Sequence, residues 1–518
     1  MVTLGDHKPV RGPRVGGGAA LIAIVLICSA QLMIVIDGTI VNVAIPSIAQ
    51  HLRLSAAGPA WIVNGYTLVF GGCLMLGGRA ADLLGRLPVF CAGIALFTAG
   101  SVVCGLAGAE PQLIAGRAVQ GLGAALASPA ALAVMTASYA EGPERNRAFA
   151  VWGAISGGAG AAGMIAGGIL TQALSWRWIF FVNVPVGIAV LCLAGRFIPR
   201  GREHAPGQRV DVVGCVTVTS SLVLIVLGLV NGADWGWLSA RSGAALGGGL
   251  LLLAVFAAIE ARGAQPLIDL ALLRRRVIVM SNVLMFFLMS GLFAAFFFLS
   301  QYFQNVRHAT PVITGLAFLA MAVPFAVTSQ FTPRLQERWG GKSTLLAALG
   351  VATAGTVLLA TVGAGTSYWA VILPGLVLYG AGLGAAIPVV TIASQSGVSE
   401  HAAGVAGGLI TTVQQVGGAI GLAALSSLST AVARGQLRAG PPGAGGQAEV
   451  AALMAGYHWV FIAAVPLTAV ALLLSLVGLR PQELRASEDA LPVHALYERR
   501  RQHCKHKQSD ETSRRPFD

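Results

Sequence analysis

Fourteen apolar runs, each about 20 residues or longer and separated by short polar breaks, constrain this chain more than any other feature. About 20 helical residues cross a hydrocarbon core ~30 Å thick, and inside it every backbone N–H and C=O must bond within a helix or a closed barrel. The runs predict transmembrane helices at about 20–49, 59–79, 88–108, 112–138, 148–172, 179–198, 211–231, 242–261, 277–304, 311–332, 343–363, 367–393, 403–431 and 457–479. The chain is 55% hydrophobic and only 11% charged, against about 25% charged in soluble domains. A string of soluble domains is excluded. The expected fold is an all-α membrane protein, and the 67 glycines read as close helix packing, because small residues let helix backbones approach.

Charge placement orients the spans. With the N-terminus cytoplasmic, 27 of the 34 Lys and Arg residues fall on the cytoplasmic side, the bias that sets membrane topology. Both tails are therefore expected inside. The net charge of +13 is a topology signal, and nucleic acid is excluded as a partner. Residues 1–18 carry the charge of a signal-peptide flank, but the run that follows is long, contains Asp37 and lacks a small-residue cleavage site; it reads as a first span. The seven cysteines show neither paired nor metal-ligand spacing, so neither a disulfide framework nor a zinc site is expected. His503, Cys504 and His506 sit in a basic tail that reads as disordered, suited to anionic lipid headgroups.

An internal repeat follows the second and tenth runs. Asp82, Gly85 and Arg86 in one place, and Glu337, Gly340 and Lys342 in the other, set an acid, then a glycine three residues on, then a base. Two six-helix halves with a helix pair between them account for fourteen spans, and such halves place a substrate site near the midplane between them. The expected divisions are a tail at 1–19, a first bundle at 20–198, a loop and two additional helices at 199–261, a second bundle at 262–479 and a basic tail at 480–518. Gly341-Lys342-Ser343 is not a phosphate loop, since Gln336 stands where that motif needs glycine.

Two charges interrupt the apolar runs. Asp37 lies near the middle of the first, where a carboxylate costs at least about 2.5–3.5 kcal/mol and marks an ion or substrate pathway. Burial penalises its charged form, so it suits uptake and release of a proton. A structural carboxylate held by helix partners is the alternative. Arg117, in the fourth run, needs an acceptor from a neighbouring helix, a carbonyl or a polar side chain; a simple helix tie is its plainer reading. On the fifth run Gly153 with Gly157 and Gly163 with Gly167 give two four-residue spacings, a packing pattern first and a conformational one second. The ninth run holds Phe286, Phe287, Phe293, Phe296, Phe297, Phe298, Tyr302 and Phe303, which suit either a pocket for lipophilic cations or contact with lipid.

Several stretches coincide with one family. Gly78 through Arg86 resembles the loop signature of the major facilitator superfamily, and Leu113 through Ala125 its fourth-helix signature. The Asp37 stretch, Trp61–Tyr66 and Ser175–Pro185 are similar to the fourteen-helix drug:proton antiporters of the EmrB/QacA type, as are Gln301–Gln304 and Gln415–Gly418. The chain departs from the pattern at Leu83 and Leu87, where bases are usual, at Ile165-Ala166, where a proline is missing from the fifth-helix signature, and at Gln414, where arginine is common.

The resemblance implies a major facilitator fold of two six-helix bundles plus two extra central helices. It implies proton coupling at Asp37 and Arg117, a conformational loop at Gly78, Asp82, Gly85 and Arg86, and a fifth-helix motif at Gly163, Gly167 and Gly168. It further implies a substrate cavity drawing on Asn42, Asn64, Tyr66, Gln120, Gln301, Tyr302, Gln304 and Gln415. Asp82 and Arg86 are expected on a cytoplasmic loop, as an inter-helix charge contact that latches the outward-open state.

The expected function is export, not enzymatic catalysis: a monomer in the bacterial cytoplasmic membrane that exchanges protons for amphipathic or cationic drugs, driven by the proton gradient with no cofactor. Cationic dyes are favoured because Asp37 can attract them. Two alternatives stay open, a dedicated exporter of one metabolite or self-made antibiotic, and a non-transporting sensor; the sensor is disfavoured because only the short tail is available as an output domain.

Overall fold

The computed structural model describes residues 17–138, 143–198, 211–262, 274–396, 400–439 and 446–480. Everything regular in them is helical. Thirteen segments are long and apolar enough to cross a membrane, and a further 31-residue helix, Pro143–Ala173, makes the fourteenth. In chain order they are α1 (Gly17–Leu52), α2 (Gly58–Leu84), α3 (Arg86–Gly105), α4 (Glu110–Ser138) and α5 (Pro143–Ala173), then α6 (Trp178–Phe197). Two more follow, α7 (Val212–Trp235) and α8 (Ala240–Arg262). The rest are α9 (Arg276–Val306), α10 (Pro311–Trp339), α11 (Gly341–Ala360), α12 (Tyr368–Ser394), α13 (Glu400–Ala439) and α14 (Gly446–Gly478).

Local chemistry sets several ends. Pro sits in the first turn of α2 and of α10, and the Thr310 hydroxyl caps α10 by accepting from Ile313 N; an N-cap oxygen satisfies one of the helix's orphan donors. Asp211 caps α7 in the same way, accepting from Gly214 N at 2.8 Å. Gly85 (φ 98°) and Gly340 (φ 80°) are the single-residue breaks between α2 and α3 and between α10 and α11. Both need a left-handed conformation that glycine adopts without penalty.

This corrects the expected cytoplasmic loop. Asp82 lies in the last turn of α2 and Arg86 opens α3, so the connection is one residue long. The helix outlasts its apolar run because helical hydrogen bonds persist in water as well as in lipid. An acid at a C-terminus and a base at an N-terminus are the reverse of what helix dipoles favour, and both residues make further interactions.

The helix neighbours show the repeat. In the first half α3 packs on α4, α2 on α4, α1 on α5, α3 on α6, and α1 on both α6 and α4. Adding eight to each number gives the second half: α11 on α12, α10 on α12, α9 on α13, α11 on α14, and α9 on α14 and α12. Contacts between halves obey the same relation, α2 against α13 and α5 against α10. The additional pair, α7 and α8, pack on each other, and α7 also rests on α2 and α13, one from each half.

One end of the molecule is sealed between the halves. Gly168 on α5 lies so close to α10 that a Cβ there would be 2.5 Å from Pro311 O. Val312 N donates to Gln172 Oε1, Ser300 Oγ to Asn42 O and Gln304 Nε2 to Val43 O, the last two at 2.8 Å. All of these lie towards the ends where α1, α5 and α9 finish and α10 begins.

Candidate functional site

Asp37 and Arg117, 80 residues apart in sequence, meet inside the first half as an ion pair. Glycine brings their helices together. A Cβ on Gly121 of α4 would collide with Tyr66 O of α2, one on Gly123 with Phe97 N of α3, and one on Gly100 of α3 would lie 2.8 Å from Gln120 N. With α4 this close to both neighbours, Arg117 and Gln120 project into the space beside α1.

The pair is the centre of a closed polar cluster. Arg117 Nη1 donates to Asp37 Oδ2 and, at 2.9 Å, to Gln120 Oε1; its Nε donates to Ile62 O at 3.1 Å. Gln120 Nε2 donates to Asp37 Oδ1 at 3.0 Å and to Ser101 Oγ at 2.8 Å. Asn183 Nδ2, at the start of the longer segment of α6, donates to the same Asp37 Oδ1 at 2.8 Å. The Tyr66 ring covers the guanidinium at 4.3 Å and the Phe180 ring lies at 6.0 Å, a desolvated cation–π arrangement. Asp37 and Gln120 are 0% exposed and Arg117 1%. The acceptor that Arg117 needed is thus the other intramembrane charge, joined by one carbonyl and one amide.

That geometry defines what the carboxylate can do. Asp37 accepts three donors, one of them charged. Its two oxygens offer about four lone-pair sites and three are taken, so one site on Oδ2 stays open. A proton there would cancel the carboxylate charge that Arg117 is paired with and so weaken the tie between α1 and α4. Separating a buried ion pair is strongly unfavourable, about 3–5 kcal/mol when one partner is removed, because the other charge stays uncompensated. In the state seen here the charge of Asp37 is cancelled and its surface sealed, so it draws no cation to itself.

The remaining expected residues are not gathered in one place. Tyr66 and Gln120 belong to the cluster. Asn42 and Gln304 take part in the seal between halves, Asn42 through its carbonyl; its amide donates to Gly38 O and Thr39 O within α1. Tyr302 is buried in the second half with its hydroxyl on Gly363 O, and Gln301 is buried beside it with Oε1 unbonded. Phe297, Phe298 and Phe303 are buried in the same aromatic core, with Tyr457 against Phe298 and Phe461 against Tyr302.

Gln415, on α13, packs where Gly71 of α2 makes room for it. Asn64 is buried on α2 with neither side-chain atom bonded. Gly163 and Gly167 press α5 onto Ile36 and Ile40 of α1, and Gly168 presses it onto α10. Gly78 approaches only Pro129 of α4. The surroundings of Gly153 and Gly157, and the tail with His503, Cys504 and His506, lie outside the described residues.

Sequence reasoning quoted Asn183 only within a stretch and passed over Ser101. The usable signal for Asn183 was an amide between the Trp178–Val182 run and Pro185, at the start of a span.

Comparison with known proteins places this arrangement. The Major Facilitator Superfamily model matches residues 27–422, and the chain belongs to that family; it is a multi-pass membrane protein. It is 38% identical over 410 residues to the puromycin resistance protein pur8 of Streptomyces alboniger, covering 79% of this chain and 81% of that one. It is 37% identical over 413 residues to the cephamycin export protein CmcT of Amycolatopsis lactamdurans, covering 79% and 85%. Among solved structures, the fold is shared with a bacterial homologue of the human lysosomal transporter Spinster in an inward-facing, unoccupied conformation. That match has a TM-score of 0.63 and 16% identity, covering 92% of this chain and 100% of that one.

Proposed function

We propose that this protein is a proton-coupled antiporter that exports small amphipathic antibiotics or drugs across a bacterial cytoplasmic membrane, with both tails inside. The observation that carries this reading is the sealed Asp37–Arg117 ion pair between α1 and α4, whose charge balance a proton on Asp37 would remove. With Asp37 ionised the cluster is neutral; with Asp37 protonated Arg117 is left as an uncompensated cation. A lipophilic cation is then tolerated near the first state and repelled by the second, so proton and substrate take turns. The proton gradient supplies the drive without a cofactor, at about 2.3 kcal/mol per charge for 100 mV. With the tails inside, the sealed end is the outer one.

In inverted vesicles Asp37→Asn should abolish proton-driven export, with transport normalised to the folded protein present because the change leaves Arg117 uncompensated. Wild-type gradient-driven transport by that variant would falsify the assignment.

A dedicated exporter of one antibiotic is the second reading, and one observation favours it: pur8 and CmcT are each named for a single antibiotic. A resistance panel in a sensitive host separates the two. Protection against several unrelated lipophilic scaffolds supports the broad pump, and protection against one scaffold supports the dedicated exporter.

A further inference from the structure

The two halves can be compared residue by residue, because the same backbone approaches recur in both. A Cβ on Gly121 of α4 would strike Tyr66 O of α2, and one on Gly380 of α12 would strike Met321 O of α10. Gly123 meets Phe97 N of α3, and Gly382 meets Ala352 N of α11. Gly100 meets Gln120 N and Gly116 O, and Gly355 meets Tyr379 N and Gly375 O. These pairs put Tyr379 in the place of Gln120, Leu376 in that of Arg117, Thr356 in that of Ser101 and Met321 in that of Tyr66. Gly291 of α9 faces the Tyr379 hydroxyl, a Cβ there lying 3.0 Å from it, as Asp37 of α1 faces Gln120.

The charged cluster of the first half is therefore replaced in the second by neutral residues. A small apolar cavity occupies the position, lined by Gly291, Ala295, Thr356, Tyr379 and Phe461 among others. The Tyr379 hydroxyl is unbonded there, and Thr356 pairs with Thr468 at 3.0 Å. Among the described residues only three charged side chains are buried: Asp37, Arg117 and Glu260. Glu260 stands in the last turn of α8, outside both six-helix bundles. The titratable or charged groups facing Asp37 are Arg117 of α4, Tyr66 of α2 and Cys104 of α3, whose thiol donates to Gln120 Oε1. Neither tyrosine nor thiol exchanges protons readily in an apolar core near neutral pH.

From this asymmetry we infer that one proton moves per turnover, entirely through the first half, so that exchange for a monovalent cation is electroneutral. The inference rests on the antiporter reading and adds its stoichiometry. It also sorts substrates by charge: the membrane potential assists export of neutral compounds, is without effect on monocations and opposes export of dications.

The test uses the full chain in proteoliposomes, with pH gradient and potassium diffusion potential set independently, ethidium as the monocation and dequalinium as the dication. The expected limiting ethidium gradient follows the proton gradient, about tenfold per pH unit, and is unmoved by the potential. That of dequalinium changes about fiftyfold per 100 mV, against export when the inside is negative. Glu260→Gln should keep the ethidium slope. An ethidium gradient rising about a hundredfold per pH unit and responding to the potential overturns the stoichiometry while leaving the antiporter reading intact. A hundredfold slope that falls to tenfold in Glu260→Gln assigns the second proton to α8 and also overturns it. Absence of pH-driven movement of both probes, with binding of either retained, overturns the antiporter reading and the stoichiometry together.

Discussion

Asn183 is the residue whose contribution is most readily isolated. Its amide supplies one of two neutral donors on Asp37 Oδ1, and Asn183→Leu removes that donor without adding charge. Loss of a hydrogen bond to a buried charged group costs about 1.5–3 kcal/mol, which thermal unfolding in detergent should report as a lower midpoint. Arg117→Lys should be more damaging to transport than to folding. It keeps the charge but loses the planar fork that reaches Asp37, Gln120 and Ile62 O together; the expected outcome is a chain that inserts and unfolds cooperatively yet exports poorly in a drug-accumulation assay. Asp37 and Arg117 were legible one by one, because a charge inside an apolar run stands out. Their pairing was not, since nothing local links residues 80 apart, and nothing in the sequence ties Ser101 or Asn183 to partners so distant from them.

At the scale of elements, α7 is tied differently at its two ends. Near its start, Cys215 Sγ lies 3.5 Å from Cys73 Sγ and donates to Gly72 O, both on α2 of the first half. Near its finish, Asp234 pairs with Arg434 on α13 of the second half. Any rocking of one half against the other must loosen one end. The ion pair is the weaker link, since its side chains are 37% and 31% exposed and such pairs contribute about 0–1 kcal/mol. Arg434→Ala should leave unfolding nearly unchanged while altering the rate of exchange between states, read as turnover under a fixed gradient. A fall in stability of several kcal/mol would show instead that the pair holds the fold. The fourteen helices and the Asp82/Glu337 repeat were legible because apolar length and glycine punctuation are local signals. The helix ends were not: α2 runs on to Leu84 and α13 to Ala439, because leaving the bilayer does not oblige a helix to stop.

For the whole molecule, the question is which contacts separate during a cycle. The seal made by Gly168 against Pro311, Gln172 against Val312, Ser300 against Asn42 and Gln304 against Val43 joins the halves at the end where α1, α5 and α9 finish. These are a few neutral hydrogen bonds, each worth about 0.5–1.5 kcal/mol net, and glycine-mediated backbone contact, with no ion pair among them. Such a seal can open at modest cost, as alternating access requires. In a chain with its native cysteines replaced, Gln172→Cys with Val312→Cys should cross-link under mild oxidation, and transport should stop and return on reduction. A single cysteine in place of Ser300, which is buried in the seal, should be poorly labelled by an impermeant thiol reagent added outside intact cells, and a proton gradient should raise the labelling as the seal opens. A single cysteine at residue 440, between α13 and α14, should be labelled from outside throughout. Labelling of residue 440 only after the membrane is broken would invert the topology and make the sealed end the cytoplasmic one. Cross-linking without loss of transport would mean that this seal stays shut through the cycle, and that substrate leaves by a route other than the gap between the two halves.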